Sequence, residues 1–112
     1  MKKVAILTRD FQLGTRIAES VALDGNKSFF PDFGEGGDWS AEMVIVDLDD
    51  DSLNPTDLIR QIKSENADAA VVGTSHRISK ALRSTAIDAG CSWVFTKSSL
   101  PKNLSSVLES IK

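Results

Sequence analysis

MVIVDLDDD, residues 43–51, decides how this chain is read. An apolar run, Met43–Val46, gives way abruptly to acids. The run is too short for a helix and shows no polar alternation, so it reads as a strand buried on both faces. Strands of that kind belong to parallel sheets covered by helices. The acidic and polar DLDDDSLNP that begins at Asp47 reads as a loop.

The same pattern repeats outward from there. Upstream, Lys3–Leu7 (KVAIL) and the weaker Lys27–Phe30 read as strands. Between them, Leu13, Ile17 and Val21 recur at helical spacing up to about Ala22, with Asp10 as N-cap and Gly25 as the stop. The glycine-rich Pro31–Ser40 (PDFGEGGDWS) reads as loop with at most one helical turn. Downstream, Pro55 opens a helix over Thr56–Lys63, and Ala69–Val72 is a strand ending in Gly73 and Thr74. Ile78–Ala89 is a helix closed by Gly90, Trp93–Phe95 the last strand, and Leu100–Ile111 the last helix. The order β-α-β-loop-β-α-β-α-β-α predicts an α/β sandwich with helices on both faces of one parallel sheet.

Composition narrows the function classes. The 112 residues read as a single domain spanning 1–112, long enough to bury a core without disulfides or a structural metal. Thirteen basic residues against 16 acidic ones, net −3, argue against a nucleic-acid binder, which shows a basic face. The single Cys91 excludes an intramolecular disulfide and reads as a small buried thiol. The single His76 excludes a two-histidine metal motif. No apolar run approaches the ~20 residues that span a bilayer. The N-terminal MKKVAILTRDF falls short of the ~7–15 apolar residues of a signal peptide. The expectation is a cytoplasmic protein without membrane contact.

In an open parallel sheet, ligands bind beyond the carboxyl ends of the strands. That rule selects Thr8-Arg9-Asp10, Asp47 with Asp49, Thr74-Ser75 and Lys97. Each has a plain structural reading too. Asp10 can cap a helix, Asp47 can end a strand in a turn, Thr74 can bond its own backbone, and Lys97 can be solvated. Their joint placement favours one site.

With MVIVDL around Asp47, AVVGTS around Thr74, AGCSWVFTK from Ala89 to Lys97 and DFQLGTRI from Asp10, the whole chain resembles the receiver domains of two-component response regulators, of the chemotaxis-receiver type. The resemblance implies a flavodoxin-like three-layer sandwich with a five-stranded parallel sheet in the order 2-1-3-4-5. It implies that Asp47 accepts a phosphoryl group from a histidine kinase or phosphotransfer protein, that Thr74 bonds the phosphoryl oxygens, and that Lys97 pairs with them. It also implies Mg²⁺ held by Asp10, Asp47 and the backbone carbonyl of Asp49.

The sequence departs from the family pattern at several positions. Arg9 stands where the first carboxylate of an acidic pair is expected, with Asp10 as its second member. Ser98 replaces the proline after the lysine, and Val94, with Trp93 beside it, stands at the aromatic switch position. The second helix is shortened into the Pro31–Ser40 stretch. Asp10, Asp47, Arg9 and Lys97 sum to zero charge, against −2 in the family. Two unit charges about 6 Å apart interact by roughly 3 kcal/mol at an effective dielectric near 20, so weak or absent Mg²⁺ binding is expected. Arg9 has two expected placements, turned into solvent or paired with Asp47.

The resemblance implies a stand-alone signalling module rather than an enzyme, with output by protein contact at the Ile78–Ile111 face. A non-phosphorylated pseudo-receiver, with Asp47 structural, is the alternative. A flavodoxin-like small-ligand binder is the third reading, but TRDFQLG, residues 8–14, offers no phosphate loop.

Overall fold

The structure, a computed structural model, describes residues 2–31, 41–51 and 54–111. Within them the elements follow the expected alternation. They are β1 (Lys3–Leu7), α1 (Phe11–Leu23), β2 (Lys27–Phe29), β3 (Met43–Asp47), α2 (Pro55–Glu65), β4 (Ala70–Ser75), α3 (Lys80–Ala89), β5 (Trp93–Thr96) and α4 (Leu100–Ser110). The strands form one five-stranded sheet in the order β2-β1-β3-β4-β5, and every pairing is parallel. The expected shortening of a second helix falls on residues 32–40, which lie outside the described residues.

Strand alternation sorts the core into two layers, because successive side chains on a strand point to opposite faces. Val4, Ile6, Met43, Ile45 and Val72 pack under α1 and α4, against Leu13, Ile17, Leu100 and Leu104. Ala5, Leu7, Val44, Val46 and Val71 pack under α2 and α3, against Ile59, Ile62, Ala86 and Ala89. Each fully buried Leu or Ile contributes roughly 1.5–3 kcal/mol of transfer free energy, so these two faces set the strand register.

Local chemistry places the helix ends. The Asp10 carboxylate accepts from the Leu13 N–H at 3.1 Å and starts α1. Gly25, at φ +76°, ends it by donating its N–H to the Ala22 carbonyl. The Ser79 hydroxyl accepts from the Leu82 N–H at 3.0 Å, so α3 begins two residues later than the apolar pattern implies. β4 runs three residues past the expected Val72, and Gly73 is the reason. A Cβ there would lie 2.9 Å from Leu48 Cδ1 and 3.2 Å from Cys91 Sγ. The bare glycine lets Leu48 pack against β4, and the Leu48 N–H donates to the Thr74 carbonyl at 2.8 Å. The loop that follows Asp47 is thereby tied to the end of β4.

Candidate functional site at the carboxyl edge of the sheet

Alternation also decides which side chains meet at the strand ends. Thr8 continues the Val4–Ile6 row of β1, Asp47 continues Met43–Ile45, and Thr74 follows Val72. All three rows belong to the α1/α4 face. The register pairs Asp47 with Thr74 and Thr74 with Phe95.

Asp47 is 3% exposed, and both its carboxylate oxygens are engaged. Oδ2 accepts from the Thr8 hydroxyl at 2.7 Å and lies 3.2 Å from Lys97 Nζ. Oδ1 accepts from the Asp49 N–H at 3.0 Å. Asp49 is the second anchor of the same lysine, with Oδ2 3.3 Å from Lys97 Nζ. That oxygen also accepts from the His76 N–H at 2.7 Å, while Oδ1 accepts from the Ser75 hydroxyl at 2.6 Å. Lys97 is held from its backbone as well, its N–H donating to the Ser75 carbonyl at 3.0 Å. One ammonium thus bridges two carboxylates.

The titration directions follow from these contacts. Burial pushes the Asp49 carboxyl up, but the Ser75 hydroxyl, the His76 N–H and Lys97 outweigh it and hold it below the ordinary 3.8. Burial pushes the Lys97 amine down, but Asp47 and Asp49 outweigh it and hold it above 10.5. The Thr74 side chain is fully buried, and its hydroxyl has no hydrogen-bond partner among the described residues. Cys91 is a different case, since burial pushes its thiol up to about 12 and leaves it inert as a nucleophile.

Of the residues selected from sequence, Asp47, Asp49 and Lys97 come together, and Thr74 is the register neighbour of Asp47. Asp10 does not join them. It caps α1, and the side chain that reaches Asp47 is Thr8, one residue past the end of β1. The physical reason is register, because Thr8 lies on the same strand face as Asp47 whereas Asp10 has already turned into the helix start. Arg9 lies beside the neighbouring acid Asp50. Its Nε lies 3.7 Å from Asp50 Oδ2, and its side chain is 65% exposed. The Asp49 carboxylate is part of the cluster as well.

The sequence reading missed Thr8 as the partner of Asp47, and strand alternation was the signal that would have found it. It also missed Phe95. Val94 is buried on the α2/α3 side and Trp93 packs on the α1/α4 side, as opposite faces require. The aromatic beside Thr74 is Phe95 rather than either of them.

A divalent ion of the Mg²⁺ type needs several oxygen ligands around one point. Among the described residues no group of three or more His, Cys, Asp or Glu side chains is placed to hold a metal. The ammonium of Lys97 stands between Asp47 and Asp49, where it repels a cation. An ion held at this edge would compete with that ammonium for the Asp47 and Asp49 carboxylates.

No protein-family model matches the sequence, and no curated protein matches it. Solved structures do match. The BeF3-activated receiver domain of DrrB superposes with a TM-score of 0.83 at 15% identity, over 99% of this chain and 97% of that one. A CheY-like response regulator receiver domain protein from Methanospirillum hungatei gives 0.79 at 11%, over 97% and 91%. A Burkholderia pseudomallei response regulator, solved with a phosphorylated aspartic acid, a calcium ion and citrate, gives 0.80 at 18%, over 100% and 67%. At these identities the likeness lies in the path of the backbone, and the parallel sheet order agrees with it: this chain has the fold of a response regulator receiver domain.

Proposed function

We propose that the chain is a receiver-like signalling module that acts through protein contact, with Asp47 serving as a structural carboxylate of a closed ion cluster. The observation that carries this reading is the engagement of both Asp47 oxygens by Thr8, Lys97 and the Asp49 N–H in a site 3% exposed. A nucleophilic carboxylate needs an open approach to one oxygen, and the charge on a transferring phosphoryl group needs a cation or positive cradle. At this edge the lysine that would supply that charge is shared with Asp49, and the residues just after β1 place a hydroxyl on Asp47 and an exposed guanidinium at Arg9, where the family pattern has the first carboxylate of its acidic pair.

A second reading keeps Asp47 as a phosphoryl acceptor from a histidine kinase or phosphotransfer protein. The Asp47–Lys97 contact and the unpartnered Thr74 hydroxyl beside it favour that reading. Under either reading the output surface is the α3–β5–α4 side, Ile78–Ile111. β5 is an edge strand there, and Ile87 exposes nearly half of its apolar surface. The test is incubation with a small-molecule phosphodonor and Mg²⁺, read by intact mass. No gain of a phosphoryl group is expected in the wild type. A stoichiometric gain that Asp47→Asn abolishes would replace the first reading with the second.

A further inference from the structure

We infer that the exposed side of α3, from Arg77 through Lys80 and Arg83 to Ile87, docks an acidic segment of a partner protein that also carries an apolar residue. This rests on the reading of Ile78–Ile111 as the contact surface and names the chemistry that surface takes.

The chain carries 16 acidic residues against 13 basic ones, yet residues 76–87, HRISKALRSTAI, hold three cations and a histidine and no acid. Lys80, Arg83 and Ile87 are three and four residues apart, so they share one side of the helix, with Arg77 just ahead of its first turn. The opposite side buries Ala86 and Ala89. His76, Arg77, Lys80 and Arg83 are exposed, and so is nearly half of Ile87. None of the three cations has an ion-pair partner among the described residues. Asp49, which accepts the His76 N–H, is matched by Lys97, and Asp88 follows only at the far end of the helix.

Helix stability does not explain these cations. The amino end of a helix carries partial positive charge, which favours acids there and disfavours lysine and arginine. The first turn of α3 nevertheless holds no acid, and the Ser79 hydroxyl caps it. On the same side of the sheet, α2 follows the stabilising pattern, with Asp57 in its first turn paired to Arg60 and Lys63 in its last. A local choice that weakens its own helix without internal compensation belongs at a functional surface.

The occupant is a peptide rather than a nucleic acid or a lipid surface. A net charge of −3 opposes approach to a long polyanion. A lipid surface takes a broad apolar face, whereas Ile87 is the one large apolar side chain exposed on α3 among the described residues. From Lys80 to Ile87 the helix rises about 10 Å. Carboxylates over the cations and one apolar side chain at the Ile87 end complement that stripe in charge and in order.

The experiment is titration of the isotope-labelled chain with a glutamate-rich peptide bearing one leucine, and with the same peptide carrying glutamine for glutamate, followed in nitrogen–proton correlation spectra. The glutamate peptide is expected to give saturable shifts centred on Lys80–Ile87 that weaken as salt is raised. Each exposed ion pair supplies up to about fivefold, so exchanging glutamate for glutamine, or combining Lys80→Glu with Arg83→Glu, is expected to weaken binding about tenfold or more. The reversed variant is expected to keep its thermal midpoint, because acids suit the amino end of a helix. Lys80→Gln with Arg83→Gln repeats the test without adding charge. Equal binding of the two peptides, or no loss in these variants, would overturn the acid preference and leave the contact surface standing. Shifts confined to elements other than α3, β5 and α4 would remove that surface as well. No saturable binding of the glutamate peptide, or binding of phosphatidylserine vesicles in its place, would overturn the inference.

Discussion

Two cationic side chains stand at the same edge of the sheet and behave differently. Lys97 is 20% exposed and lies within 3.3 Å of both Asp47 and Asp49. Arg9 is 65% exposed and meets Asp50 at 3.7 Å, on the rim. A sum of formal charges counts them equally. Physically they differ, because water screens the Arg9 guanidinium, although its partner Asp50 is only 13% exposed, whereas Lys97 sits in a cluster cross-bonded to Thr8, Ser75 and His76. Depth and hydrogen bonding therefore decide which charge governs the site.

The largest test of that contrast is Lys97→Met. It leaves two carboxylates facing each other without their cation, and breaking a buried pair from one side costs about 3 kcal/mol or more. Urea unfolding at neutral pH measures it. A loss below about 1 kcal/mol, the ceiling of an exposed pair, would erase the distinction between cluster and rim.

Next in size is Thr8→Val, which removes a hydroxyl donor from Asp47 Oδ2 while keeping the shape of the side chain. A hydrogen bond to a charged group is worth about 1.5–3 kcal/mol, and the low end is expected because Thr8 is half-buried. If Asp10→Ala affected the protonation of Asp47 more than Thr8→Val in a carboxyl NMR titration, the pairing of Thr8 with Asp47 would be wrong.

Acid sharpens the comparison further. The folded Asp49 carboxyl lies below its ordinary 3.8, so its contribution is complete above that value and is lost as pH falls through the lowered one. Lys97 has the opposite sign. Held above 10.5, it contributes fully below that value and loses its contribution as pH rises through the raised one. Unfolding free energy measured in Asp49→Asn should therefore lack part of the wild-type decline below pH 3.8. Solvent screening at Asp49 keeps this effect smaller than the first two.

The smallest expected change is at the rim. Arg9→Ala should alter stability by no more than about 1 kcal/mol, because the guanidinium is solvated although the Asp50 carboxylate is only 13% exposed. Thermal unfolding at low and high salt checks it. A loss comparable to that of Lys97→Met would mean that the guanidinium belongs to the cluster.

Much of this could be read before any coordinates. MVIV, AAVV and KVAIL announce buried strands because nothing else makes short, uninterrupted apolar runs. Asp10, Gly25, Pro55 and Gly90 mark helix ends because capping and positive φ are local requirements. The strand-end rule then selects Asp47, Asp49, Thr74 and Lys97. Less legible were the extent of β4 and the start of α3. Gly73-Thr74-Ser75 looks like a turn in sequence, yet it continues the strand because Leu48 and the β5 register hold it extended.

By itself, then, the sequence determined the element order, the layers and the edge where polar side chains gather, since these follow from periodicity and capping within a few residues. Only the tertiary structure decided which of them touch. Thr8 rather than Asp10 reaches Asp47, Arg9 turns to Asp50, and Asp49 turns its carboxylate to Ser75, His76 and Lys97. Those choices depend on strand register and loop anchoring between segments tens of residues apart, and a one-residue shift along a strand sends a side chain to the other face of the sheet.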